Sequence, residues 1–205
     1  MTTLLIFAMN SAQTRSKGSS FGRIGPIYPW RRYWAPRDGF FDLSDDGFLV
    51  DPESERAQYS VQKLYNLPEL QNYRALALLG EPGIGKSDTL EAEYNALQER
   101  AGQESQLLQK YVDLRSFGSD ALLHSRVFGS PDFLTWEAGN NNLVLYLDSI
   151  DEALLRIDTV AALLADELSQ HPTGRMLIRI ACRTFVWPHE PLEIAFARIW
   201  GDEDR

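Results

Sequence analysis

The chain has 205 residues, 44% of them hydrophobic, and a formal net charge of -9, which suits one α/β core with a small appendage and excludes nonspecific nucleic-acid binding by the whole surface. Its single cysteine, Cys182, excludes an internal disulfide and fits a reducing compartment, while His124, His171 and His189 are scattered with no paired spacing for a metal. No apolar run approaches a membrane span, and Leu4-Leu5-Ile6-Phe7-Ala8-Met9 lacks the basic flank and length of a signal segment, so a soluble, cytoplasmic protein is expected.

Residues 1–37 carry Arg15, Lys17, Arg23, Arg31, Arg32 and Arg37 without one acid. A basic arm of this kind docks on the acidic body of its own chain or binds an anion, and the first reading is preferred. Residues 10–50 interleave Tyr28, Trp30, Tyr33, Trp34, Phe40, Phe41 and Phe48 with arginines and sustain neither helical nor strand periodicity. An irregular extension over residues 1–50, packing its aromatics on the neighbouring domain rather than stacking them on bases, is expected. Asp51-Pro52-Glu53-Ser54-Glu55 then has a cap, an early proline and acids for a helix start, running to about Leu64.

Arg74-Ala75-Leu76-Ala77-Leu78-Leu79 has the length and apolarity of a buried parallel strand. It leads into Gly80-Glu81-Pro82-Gly83-Ile84-Gly85-Lys86-Ser87, which fits G-x-x-x-x-G-K-[ST] at every specified position. A triphosphate has to be wrapped by backbone N–H groups, and Gly80, Gly83 and Gly85 keep side chains out of that space while Pro82 stiffens the loop. Lys86 would place an ammonium among the β- and γ-phosphate oxygens, and Ser87 would offer a hydroxyl to Mg²⁺. The helix beginning here, with Asp88 in its first turn and Leu90, Tyr94, Leu97 and Ala101 on one face, would aim its positive end at the anion, and Gly102 would end it.

Leu107-Leu108-Gln109-Lys110-Tyr111-Val112 reads as a second strand, delivering Asp113 and Arg115 either to the ligand crevice or to ordinary solvation. Residues 119–137 read as one or two short helices broken by Gly129 and Pro131. Leu143-Val144-Leu145-Tyr146-Leu147 is a third strand that brings Asp148 to the mouth of the crevice, where it can hold Mg²⁺ with Ser87. Hydrolysis also needs a carboxylate to orient and deprotonate water, and Asp151 and Glu152 are the candidates, with a slight preference for Glu152. Ser149-Ile150-Asp151-Glu152 competes for the same glutamate as a capping box of the next helix, whose apolar face is Leu154, Ile157, Ala161, Leu164 and Leu168. Met176-Leu177-Ile178-Arg179-Ile180-Ala181-Cys182 is a fourth strand. Arg183 at its end would either neutralise a γ-phosphate, the preferred reading, or pair with a nearby acid.

The loop 80–87, Leu147-Asp148-Ser149-Ile150-Asp151-Glu152 and Ile180-Ala181-Cys182-Arg183-Thr184 together resemble the NACHT-type branch of the STAND NTPases. Tyr111-Val112-Asp113-Leu114-Arg115 and the Trp187-Pro188 after Arg183 look like its large bacterial signalling and antiviral-defence members. The resemblance covers about residues 70–200. It implies a P-loop NTPase, a three-layer α/β/α sandwich of the ASCE type with strand order 5-1-4-3-2, over residues 51–205. Only four of the five strands are visible, so a truncated domain lacking the fifth is expected. The resemblance further implies ATP and Mg²⁺ as cofactors, Lys86 and Ser87 in the Walker A roles, Asp148 on magnesium, Asp151 or Glu152 as base and Arg183 as sensor. Its members are ATP-driven switches that self-associate or act on effector and sensor regions of a longer chain.

The expected function is thus ATP binding with slow Mg²⁺-dependent hydrolysis. GTP is less favoured because no [NT]-K-x-D motif is present. A small-molecule kinase, with an acceptor near Asp113 and Arg115, and a nucleotide-binding module without turnover are the alternatives. Against the kinase stands the Asp151-Glu152 pair, since water activation suits hydrolysis.

Overall fold

In the strand before the glycine loop every residue is apolar, which demands cover on both faces. The computed structural model, which describes residues 3–10, 32–37, 52, 63–101 and 106–201, supplies that cover. The strands are β1 (Thr3–Asn10), β2 (Arg32–Pro36), β3 (Ala75–Leu79), β4 (Leu107–Asp113), β5 (Asn142–Asp148) and β6 (Met176–Cys182). The helices are α1 (Lys86–Ala101), α2 (Asp120–Val127), α3 (Pro131–Ala138), α4 (Ile157–Gln170) and α5 (His189–Trp200).

Four strands form an all-parallel sheet in the order β3-β6-β5-β4. Alternation along each strand sends successive side chains to opposite faces. Ala75, Ala77 and Leu79 of β3 meet Leu143, Leu145 and Leu147 of β5, Ile178 and Ile180 of β6, and apolar residues of α2 to α5. Leu76 and Leu78 point the other way, into a second cluster with Trp34, Leu70, Leu90, Val144 and Tyr146, against which Tyr94 and Leu97 of α1 also pack. The expected face of α1 is therefore observed at Leu90, Tyr94 and Leu97. The helices thus flank the sheet on both sides, an α/β arrangement.

Two expectations about the N-terminal extension are corrected. It is not irregular throughout, because β1 and β2 lie within it. The position beside β3 that a missing fifth strand would leave open is occupied by β1, parallel to β3 with Thr3 opposite Ala75, and β2 closes the edge antiparallel to β1. Periodicity could not announce β2: Tyr33, Trp34 and Ala35 are consecutive and all buried, so no alternation exists to be read. Trp34 is fully buried and exchanges backbone hydrogen bonds of 2.8 Å in each direction with Tyr65. Packing of aromatics on the body is thus observed for Tyr33 and Trp34, and docking of basic groups on acids for Arg32 with Asp88 and Arg37 with Glu193. Tyr28, Trp30, Phe40, Phe41, Phe48, Arg15, Lys17, Arg23 and Arg31 lie outside the described residues, as does nearly all of the helix expected over 51–64. Lys63 and Leu64 are not helical.

The remaining elements follow the sequence with one local exception. α2 and α3 are separate, as Gly129 and Pro131 require, and β4, β5 and β6 match the apolar runs to within a residue. The helix expected from Leu154 begins only at Ile157. Residues 150–152 form a short 3₁₀ turn instead, and Leu154 is 77% exposed rather than part of the buried face. Among the described residues no helix is long and apolar enough to cross a membrane.

Candidate functional site

Because β3, β5 and β6 are parallel, the loop after β3, the last residue of β5 and the residue after β6 converge at one end of the sheet. A cleft of about 220 Å³ opens there, lined by Pro82, Gly83, Gly85, Lys86, Ser87, Asp88, Asp148, Ser149, Asp151, Glu152, Ala181 and Arg183. Gly83 and Gly85 have φ of 79° and 90°, left-handed values at which a side chain would be strained, so glycine is required at both. Gly80 is buried at the end of β3, Glu81 and Pro82 are exposed on the loop, and Ile84 packs beneath it on the second cluster. α1 starts at Lys86, which leaves the N–H groups of its first turn without helical acceptors and facing the cleft end of the helix.

Lys86 donates from Nζ to the carbonyls of Gly80 (2.7 Å) and Glu81 (3.0 Å), holding the loop closed on itself. Burial pushes its pKa below the ordinary lysine value, an effect that Asp151 and Asp148, among others, oppose. Asp148 is buried, 2% exposed, at the floor of the cleft. Its Oδ1 accepts from Ser87 Oγ at 3.0 Å and more loosely from Ser149 Oγ at 3.4 Å, and its Oδ2 accepts from Tyr111 Oη at 2.9 Å. Burial first, and the Asp148 carboxylate second, push the Tyr111 hydroxyl up, so it stays a donor. Tyr111 stacks on Tyr146 and meets Tyr94 edge-on, which fixes its ring.

The acids that follow are separated by the geometry. Asp151, its side chain 3% exposed, accepts from the backbone N–H of Arg183 at 3.1 Å and forms an ion pair with the Arg183 guanidinium. Of the two readings of Arg183, pairing with a nearby acid is the contact seen in this structure. Hydrogen bonding to Asp151, and then its charge, raise the pKa of Arg183 further. Glu152 is exposed on the cleft wall, and among the described residues no hydrogen bond or ion pair holds its carboxylate. The capping box is also corrected. Ser149 has a left-handed φ of 54° and caps nothing, because the chain leaves β5 through a tight turn before α4 begins at Ile157. Glu152 is thereby free of the capping role.

Asp113 and Arg115 do not line the cleft. They pair with each other through contacts of 2.9 Å from Arg115 Nε to both carboxylate oxygens, and Asp113 also accepts from the Arg115 backbone N–H, so each satisfies the other. Two residues at the site escaped the sequence reading. Tyr111 enters it only as part of a strand and of the resemblance, with no place at the cleft; the acid it bonds, Asp148, ends a different strand, so spacing along the chain carries no signal for the contact. Arg32 reaches the loop from β2, about fifty residues upstream, and bonds Asp88 from Nη2 at 3.1 Å. Only the tertiary fold brings it there. Compared with known protein families, with characterised proteins and with solved structures, the chain finds no match.

Proposed function

We propose that the chain binds ATP with Mg²⁺ and hydrolyses it slowly, as the nucleotide switch of a P-loop NTPase of the NACHT-type STAND branch. The observation that carries the reading is the 3.0 Å hydrogen bond from Ser87 to Asp148, which couples the glycine loop after β3 to the acid ending β5, directly beside Lys86. A hydroxyl and a carboxylate at that separation suit a hard cation that takes one or two protein oxygens and completes its shell with phosphate and water. The donor set therefore fits Mg²⁺, which when bound would neutralise charge on the β- and γ-phosphates. Side-chain-free backbone at Gly83 and Gly85, with the open first turn of α1, fits the phosphates themselves.

The chain's own residues divide the work. Lys86 exchanges its two loop carbonyls for phosphate oxygens. Tyr111 holds the far oxygen of Asp148, which leaves Oδ1 aimed at the Ser87 hydroxyl. Glu152, exposed and unbonded on the cleft wall, is the base that orients water and takes its proton; Asp151, held by Arg183, is not placed for proton exchange. Arg183 serves as the sensor by leaving Asp151 when additional negative charge enters the cleft. A volume of about 220 Å³ is below the roughly 300–1,000 Å³ of pockets that enclose a whole drug-sized ligand, so the phosphate chain is enclosed and the adenine ring of the nucleotide lies outside. Self-association, or action on effector and sensor segments of a longer chain in the cytoplasm, belongs to the same reading. The mutual pairing of Asp113 and Arg115 removes the groups on which a kinase acceptor site would rest.

Calorimetric titration with Mg²⁺-ATP and a phosphate-release assay test the proposal. Lys86→Ala is expected to abolish binding. Glu152→Gln is expected to bind ATP as the wild type does and to lower the hydrolysis rate by about 10²–10⁴, the usual contribution of a general base. Unchanged turnover in Glu152→Gln moves the base to Asp151, and wild-type binding in Lys86→Ala refutes the site.

A further inference from the structure

The guanidinium of Arg32 lies on the glycine loop. A Cβ built on Gly85 would fall 2.5 Å from both its Nε and its Nη2. Its Nη2 bonds Asp88, the third residue of α1, whose side chain is 70% exposed, whereas Arg32 itself is 30% exposed. Its Nε is buried and has no hydrogen-bond partner, so one donor of a guanidinium paired through Nη2 is left unsatisfied beside the backbone of the loop. Such a donor costs stability unless something satisfies it.

The charge of the cleft points to what does so. Among the described residues its lining contains two cations, Lys86 and Arg183, and four acids, Asp88, Asp148, Asp151 and Glu152. Arg183 pairs with Asp151, which among the described residues leaves Lys86 as the lining cation not in an ion pair. A polyphosphate entering a cleft whose lining is net acidic is held better by further positive charge beside it, even with Arg183 released from Asp151. Arg32 provides it from outside the core domain, and its planar fork suits two phosphate oxygens at once. The position also differs from that of Lys86: Lys86 bonds the start of the loop at Gly80 and Glu81, while Arg32 sits at its end, on Gly85 and Asp88. In a loop of this pattern the lysine reaches the β- and γ-phosphates and the backbone at the helix start cradles the α- and β-phosphates.

We propose that Arg32, carried by β2, is a phosphate ligand acting in cis at the α/β end of the chain, and that Asp88 holds it on the loop until the phosphate displaces that carboxylate. Gly85 is then required twice, for its own φ and for the approach of Arg32. The N-terminal strands belong to the binding site rather than to an appendage. The inference rests on the phosphate-binding reading of the cleft.

The test is calorimetric titration of the full chain with Mg²⁺-ATP, Mg²⁺-ADP and inorganic tripolyphosphate, for wild type, Arg32→Ala, Arg32→Lys, Asp88→Asn and Lys86→Ala, with thermal unfolding of each free protein. Loss of one charge-assisted contact is expected to weaken all three ligands about tenfold in Arg32→Ala, with Arg32→Lys between it and wild type. Asp88→Asn is expected to bind several-fold more tightly, because the competitor for the guanidinium is gone. A merely structural ion pair would weaken both partners' variants alike, and that outcome overturns the proposal. Wild-type or tighter binding by Arg32→Ala, while Lys86→Ala abolishes it, also overturns it and leaves the phosphate reading standing. Absence of binding by the wild type overturns both. Arg32→Lys and Asp88→Asn keep the contrast readable if Arg32→Ala does not fold.

Discussion

At the scale of single residues, the ionisation of Lys86 governs how the cleft responds to pH. Burial lowers its pKa, and the acids Asp151, Glu81 and Asp148 only partly restore it. The form that attracts phosphate is the cation, so affinity is full below the folded-state pKa and falls as pH rises through it. Because that pKa lies below the ordinary lysine value, the fall begins at a milder alkalinity than an exposed lysine would give. Neighbouring groups do not mimic it: the Tyr111 hydroxyl and the Cys182 thiol, behind the lining, are pushed up, each chiefly by burial, and the Arg183 guanidinium is raised by Asp151. Dissociation constants for Mg²⁺-ATP measured from about pH 7 to about pH 9.5 are therefore expected to rise toward the alkaline end, and Lys86→Arg is expected to flatten the profile, since a guanidinium stays charged throughout. A wild-type profile no steeper than that of Lys86→Arg, with the series extended to about pH 10.5, would count against contact of Lys86 with phosphate.

At the scale of elements, β6 contains a charge where its sequence is otherwise apolar. Arg179 is 1% exposed, donates to the carbonyls of Gln71 (2.7 Å) and Tyr73 (2.8 Å), and pairs with the partly buried Glu93 of α1 at 3.4 Å. It thereby ties β6, α1 and the segment leading into β3 together, and the placement of the loop after β3 depends on that tie. Arg179→Ala leaves the partly buried Glu93 without its charge partner and removes two hydrogen bonds to carbonyls, and is expected to cost about 3–5 kcal/mol of stability by denaturant unfolding. Arg179→Met with Glu93→Leu, which removes both charges and retains bulk, is expected to recover most of that loss. Equal losses in the single and double variants would show that the charge pair is not the cause. Elements like β6 were legible from sequence because a buried parallel strand is a short apolar run whatever interrupts it, and the glycine loop because its residue types have a chemical reason. The 149–156 segment was misread for an equally physical reason: Ser149-Ile150-Asp151-Glu152 fits a capping box, but the left-handed Ser149 and the pull of Arg183 on Asp151 are tertiary effects that override a local cap. The approach of Arg32 to Gly85 and of Tyr111 to Asp148 was invisible because it depends on which strands are neighbours, not on spacing along the chain.

At the scale of the whole molecule, the sheet is closed by the chain's own N-terminal part. β3, the strand that presents the glycine loop, is flanked by β6 on one side and by β1 on the other, and β2 hangs from β1. Without β1 the edge of β3 would expose a row of unpaired backbone groups under an apolar surface, which invites pairing with other chains. β2 would lose its strand partner, its backbone pairing among the described residues would fall to the bridge between Trp34 and Tyr65, and the fully buried Trp34 would be drawn toward solvent. Truncation of a buried tryptophan alone costs about 3–5 kcal/mol. In a chain of this size each kcal/mol lowers the unfolding temperature by about 2–4 °C, so deletion of residues 1–10 is expected to lower it by roughly 10 °C or more and to shift the protein toward oligomers in size-exclusion chromatography. Nucleotide affinity should fall with it even in the fraction that remains monomeric, because Arg32 is carried to Gly85 only by a docked β2. A deleted chain that stays monomeric, melts with the wild type and binds Mg²⁺-ATP as tightly would mean that β3 is stabilised from one side alone and that the N-terminal strands contribute nothing to the loop they cover.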